Sequence, residues 1–422
     1  MKYLLIICTV CICGALPAQS PDSVYLPNIQ TVQLYLHGNQ LAYPVISLNG
    51  TDQLDLQFDD LDANVKNYYY TYQLCNADWT PVEVSSFDYI RGFVQSPITD
   101  YHYSSIALTR YTHYHISLPA AGSAIIRSGN YLLKVFLDND TSRLAFTRRL
   151  LVVNNAVSIS AQFLQPMNPR ISQTHQKIQF TVNSRALTLV NPFQQLKVVL
   201  LQNHRWDNAL YIDKPSFYSG TNFEYNSDDV SVFPGGKQWR WLDLQSFRFQ
   251  SDRVAKVDYL PKSTTIYVKP DVDRSGLPYY YYADYNGNYF VQTTESINPY
   301  YQTDYATVKF SFIPPDNAAF PDRDIYLFGA LTGYQLNEAT RMQFDPQKGI
   351  YEGTAFLKMG FYNYAYVTVG KNDPTAKTSF EYTEGNHFET ENDYLILVYY
   401  RSMGGRADEL VGTFSLNTLN PQ

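Results

Sequence analysis

Apolar and polar residues alternate one by one along much of this chain, and a period of two fits strands rather than helices. Leu54, Leu56 and Phe58 alternate with Asp55 and Gln57, and Tyr70, Tyr72 and Leu74 alternate with Thr71 and Gln73. Tyr114, Ile116 and Leu118 continue the pattern, as do Tyr131, Leu133, Val135 and Leu137 after the turn residues Ser128-Gly129-Asn130. The run Leu144–Val153 stops at Asn154-Asn155. Short strands at hairpin spacing, with turn residues between them, predict an all-β chain built from β-sandwiches.

Three consecutive sandwiches of immunoglobulin-like or early-set type are expected after a leader. The first spans 25–155. The second spans 156–303 and includes the breaker Gln165-Pro166-Met167-Asn168-Pro169 and the turn Pro234-Gly235-Gly236. A long irregular stretch over 270–305 closes it, rich in tyrosine. The third spans 304–415, opens at Thr307-Val308-Lys309-Phe310 and leaves a short polar tail. A length of 422 residues accommodates that many cores.

The first residues read as a secretory signal over 1–18. Lys2 precedes an apolar run from Leu4 to about Ile12, and small residues follow near Ala18. That run is shorter than the ~20 residues a spanning helix needs, so no stable membrane insertion is expected. Three of the four cysteines lie in the leader, which leaves Cys75 without an intramolecular partner. The net charge of −7 argues against nucleic acid, whose binding rewards clustered Lys and Arg.

Candidate chemistry is sparse. Cys75 with His113 as its base would make a thiolate nucleophile, but Cys75-Asn76-Ala77-Asp78-Trp79 reads better as a strand end and a capped turn. His113 and His115 share a strand face, with no carboxylate evident there to complete a metal site. Asp271-Val272-Asp273-Arg274-Ser275-Gly276 opens like a calcium loop, but its twelfth position is Tyr282 rather than Glu. Asp59, Asp60 and Asp62 read as a solvated turn, and Asp138-Asn139-Asp140 as a hairpin turn. The expectation is therefore no catalytic, cofactor-binding or metal-ligating residue, and a protein that is not an enzyme. Tyr279, Tyr280, Tyr281, Tyr282 and Tyr285 are the candidate partner surface, since tyrosine supplies contact area at low side-chain entropy cost.

Residues 31–153 resemble the first domain of the type IX secretion system plug protein family. The likeness rests on Thr31-Val32-Gln33-Leu34-Tyr35, Tyr43-Pro44-Val45-Ile46, Leu54 through Leu61, Tyr68-Tyr69-Tyr70 and Cys75 through Trp79. Tyr111 through Tyr114, Ser128 through Tyr131 and Thr147-Arg148-Arg149 complete it. The resemblance implies a periplasmic protein, associated with the outer membrane of a Bacteroidetes-type envelope. It implies a monomer within a hetero-complex, occluding the periplasmic mouth of the large translocon β-barrel. The third sandwich is similar to glycogen-binding modules through Phe328 to Leu331, Met342 to Asp345, Gly349 to Gly353 and Gly360 to Tyr364, which gives a glycan-binding envelope protein as the alternative. Such modules grip sugars with tryptophans, whereas Trp79, Trp206, Trp239 and Trp241 all precede that sandwich, so the likeness implies fold only.

Overall fold

A computed structural model describes residues 21–371 and 377–420. The expected signal over 1–18 lies outside the described residues. The described residues are nearly all β, with one α-helical turn at Pro192–Gln195, and the strands pack face to face around three apolar clusters.

In the first unit a four-stranded sheet carries, in spatial order, Ile29–Leu36, Leu54–Asp60, Thr112–Leu118 and Asp100–Tyr103. Opposite it lies a five-stranded sheet of Val45–Ser47, Leu144–Val153, Gly129–Leu137, Tyr68–Cys75 and Ser96–Ile98. Alternation aims Leu54, Leu56, Phe58, Tyr70, Tyr72, Leu74, Leu133 and Val135 into the space between the sheets, where all are buried. The hairpin joining Gly129–Leu137 to Leu144–Val153 turns through Asp138 and Asn139, both left-handed at φ 53° and 58°, a conformation these two residue types tolerate.

The rest of the chain is nested rather than serial. The strand Leu196–Gln202 pairs along its length with Asp393–Tyr400, which in turn pairs with Glu409–Asn417. These form one face of the second unit, and His175–Asn183 with its neighbours forms the other. All strands between Arg240–Asp243 and Gly360–Gly370 pair among themselves into the third unit, around a core that includes Leu242, Phe310, Leu327 and Tyr364. The third unit is thus inserted into the second, and pairing departs from the expected division into 156–303 and 304–415. Serial reading assumes that strands close in sequence share a sheet, and Leu196–Gln202 finds its partner about two hundred residues later. The residues up to 415, expected to close the third sandwich, belong instead to Glu409–Asn417, an edge strand of the second unit. The stretch 270–305, expected to be irregular, supplies Asp271–Val272 and Tyr289–Val291 to the third unit.

Entry and exit of the insert run side by side. The amide of His387 donates to the Gly236 carbonyl (2.8 Å), and Thr390 Oγ1 donates to the same oxygen (2.8 Å). Gly235 is obligatory there, because a Cβ would stand 2.1 Å from the His387 carbonyl oxygen.

Candidate functional site at the junction of the units

The strand Leu54–Asp60 turns its apolar residues inward, so its polar face should meet water. Instead all seven residues are buried. Asp55, Gln57 and Asp59 look outward from the first sandwich into a junction with the third unit. Asp59 is 1% exposed and ion-pairs with the ammonium of Lys358, equally buried at 1%, on the strand Ile350–Lys358. The same carboxylate accepts a hydrogen bond from the Tyr305 hydroxyl (2.5 Å), and His113 Nδ1 lies 2.7 Å from its other oxygen. Lys358 also donates to the Tyr300 carbonyl (2.5 Å) and sits 4.2 Å from the Tyr111 ring centroid. Burial alone would raise the Asp59 carboxyl; Lys358 and His113 outweigh it and hold it below the usual carboxylate range. Burial depresses the Lys358 ammonium, against the pull of Asp59.

Neighbouring contacts extend this lock. The Tyr111 hydroxyl donates to the Thr303 carbonyl (2.8 Å), and Asp304 accepts from the amides of Leu108 and Thr109. Thr31 stands at a bulge in Ile29–Leu36, at φ +50°, which aims its hydroxyl 2.6 Å from that of Tyr305.

A second junction joins the first unit to the second. Leu132, Leu151 and Val153 pack against Val199, Leu201, Leu395 and Leu397. The turn Cys75 to Trp79 docks there: Asp408 accepts from the Ala77 amide (3.1 Å), and Arg401 donates to the Asn76 side chain (2.7 Å). Trp79 meets Trp206 edge to face at 4.9 Å, and the Arg149 guanidinium lies 4.9 Å and 5.2 Å from the two rings.

Cys75 is buried and its thiol is pushed up to about 11, first by desolvation; His113 faces Asp59 instead. His113 and His115 do share a face, but it carries carboxylates after all. Register across the pair places Asp59 beside His113, and Asp55 within 3.3 Å of His115. Asp59 and Asp60 are not a solvated turn: both are buried, and Asp60 pairs with Lys66 at 2.9 Å. Asp271, first in the calcium-like run, is neutralised by Arg240 (2.8 Å) and Arg253. Among the described residues, no group of three His, Cys, Asp or Glu is placed to hold a metal ion.

The tyrosine run divides. Tyr279 stacks on His387 at 4.4 Å, and the Tyr282 hydroxyl donates to the Trp239 carbonyl (3.0 Å). Tyr280 and Tyr281 project outward, 75% and 54% exposed. Tyr285 meets Phe290 and Phe361 edge to face and lines a cavity of about 380 Å³ between the first and third units. A larger cleft of about 1130 Å³ borders all three units, including Tyr43, Arg149, Trp206 and Tyr334. Sequence reasoning missed Lys358; its signal was a lysine within the otherwise apolar run Phe356-Leu357-Lys358-Met359.

Residues 29–154 match the family model described as Type 9 secretion system plug protein 1st domain. The chain carries a type 9 secretion plug domain. The match covers both sheets of the first unit. A hypothetical protein from Parabacteroides merdae ATCC 43184, solved by crystallography, is 29% identical over 94% of this chain and 98% of its own, with a TM-score of 0.89. That likeness spans all three units, not the plug domain alone. A trypsin-activated alpha-2-macroglobulin from Escherichia coli aligns at 9% identity over 92% of this chain and 28% of its own, with a TM-score of 0.16, and no inference attaches to it. No curated protein matches. The plug domain points to a plug-like role in type 9 secretion, at the cell envelope and with the secretion translocon. With the all-β fold it points to a non-catalytic component. Among the described residues no helix is long and apolar enough to cross a membrane.

Proposed function

We propose that this protein is a periplasmic plug that occludes the periplasmic opening of the outer-membrane translocon barrel of type 9 secretion, by shape and without chemistry. The observation that carries the reading is the plug domain held to the other two units through buried charge and apolar contacts. An occluding body must resist deformation, and breaking a buried ion pair costs more than flexing a solvated linker would. Its leaving when cargo arrives calls for a polar, exchangeable contact, which Tyr280 and Tyr281 can supply at a rim. Tyr279, Tyr282 and Tyr285 hold the loop that presents them.

The test has two arms. Deleting the gene should raise uptake of a large antibiotic such as vancomycin, and tagged protein should capture the translocon barrel from native envelopes. Unchanged permeability together with absent capture would reject the plug reading.

A further inference from the structure

We infer that the cavity between the first and third units binds an organic cation, an ammonium or guanidinium group, through Asp55 and the rings of Tyr35, Tyr285, Phe290 and Tyr300. This goes beyond occlusion and does not depend on it.

The walls come from both units. Tyr35, Gln40 and Asp55 belong to the first, and Tyr285, Phe290 and Tyr300 to the third. Tyr285 and Phe290 meet at 86°, making a corner of two ring planes, and Tyr300 is backed by His113 at 5.4 Å. The Tyr35 and Tyr300 hydroxyls are 2.9 Å apart, and Gln40 clamps the wall through both polar groups of Val291 (2.8 and 3.0 Å). The cavity of about 380 Å³ falls within the usual range for small-ligand sites. Aromatic walls around a cation exploit the negative faces of the rings.

The carboxylate supplies the stronger argument. The other buried acids are compensated: Asp59 by Lys358, Asp60 by Lys66, Asp271 by Arg240 and Arg253, Glu384 by Arg240 and Arg274, Asp408 by Lys197 and Arg401. Glu391 is held by the amides of Asn286 and Asn417, and burial raises its carboxyl. Asp55, 6% exposed, has no lysine or arginine partner among the described residues. Its neighbours are His37 Nδ1 (2.9 Å), His115 Nε2 (3.3 Å), Ser117 Oγ (3.2 Å) and the Gly38 amide (3.4 Å). Burial pushes its carboxyl up, but the histidine and amide bonds reverse the shift, so it stays ionised. Histidine, hydroxyl and amide groups bond this carboxylate but no lysine or arginine does, so beside the aromatic corner it can still take a permanent positive charge.

Calorimetric titration of the purified protein at pH 8 tests this with choline, N-acetyl-lysine methylamide and N-acetyl-arginine methylamide, against neutral 3,3-dimethylbutan-1-ol. At least one cation should bind about tenfold or more tighter than the neutral isostere, as expected when charge meets ring faces and a carboxylate. Choline as the best ligand would identify a free quaternary amine; lysine or arginine derivatives as the best would identify a side chain of a bound protein. Asp55→Asn and Tyr285→Ala should each weaken binding by about fivefold or more. Tyr285 is 38% exposed, so its truncation leaves the fold intact by circular dichroism even where Asp55→Asn does not. Equal binding of the isostere, no binding of any cation, or unchanged affinity in Tyr285→Ala would overturn the assignment.

Discussion

Replacing Lys358 by methionine removes the charge at the junction of the first and third units while keeping most of the side-chain volume. The ammonium and its partner Asp59 are each 1% exposed, so water cannot screen what remains. Asp59 would keep the Tyr305 and His113 contacts but lose its permanent cation, and the Tyr300 carbonyl would lose a donor. Losing one partner of a buried pair costs about 3–5 kcal/mol. The double variant Asp59→Asn with Lys358→Met removes both charges and should recover much of that cost, because no lone buried charge is left. The assay is denaturant unfolding of wild type, both single variants and the double, followed by circular dichroism and tryptophan fluorescence. Two transitions instead of one would themselves report separation of the first unit. A Lys358→Met cost below about 1 kcal/mol, or a double variant no more stable than the sum of the singles, would refute the lock.

Glu384 is fully buried; burial opposes ionisation, but Arg240 and Arg274 hold its carboxyl at about 2, below its ordinary 4.5. A depressed acid stabilises above its unfolded value, so ~3 kcal/mol should be lost as pH falls from 4.5 towards 2. Melting of wild type from pH 5 to 2.5 should therefore fall more steeply than that of Glu384→Gln, and parallel profiles would contradict this. The double substitution Tyr280→Ala with Tyr281→Ala should leave stability within ~0.5 kcal/mol, as for other exposed sites. It should also reduce capture of the translocon; undiminished capture would remove these rings from the interface.

Much of the fold was legible because alternation is a local signal. Leu54, Leu56 and Phe58 on one face, and Leu144–Val153 ending at paired asparagines, each needed only a few residues to be read. What covers the opposite face was not legible. Alternation says that Asp55, Gln57 and Asp59 share a side; it cannot say that Lys358, three hundred residues away, will cap it. For the same reason the histidine pair looked short of carboxylates: Asp55 and Asp59 join it only through cross-strand register. The nested layout escaped because Asp393–Tyr400 carries no mark of which earlier strand it will join. The Tyr279–Tyr282 run showed that something was unusual, but not that its members divide between anchors and exposed rings.

The pairing of Leu196–Gln202 with Asp393–Tyr400 sets a timetable. A chain emerging amino end first can close its first sandwich early, and the inserted unit can close once Gly360–Gly370 is out. The second sandwich must wait, half its core bare, for Asp393–Tyr400 and Glu409–Asn417. A nonsense mutation near residue 390 would therefore yield a molecule with two finished ends around an unfinished middle, and that exposed middle is what envelope proteases would find first.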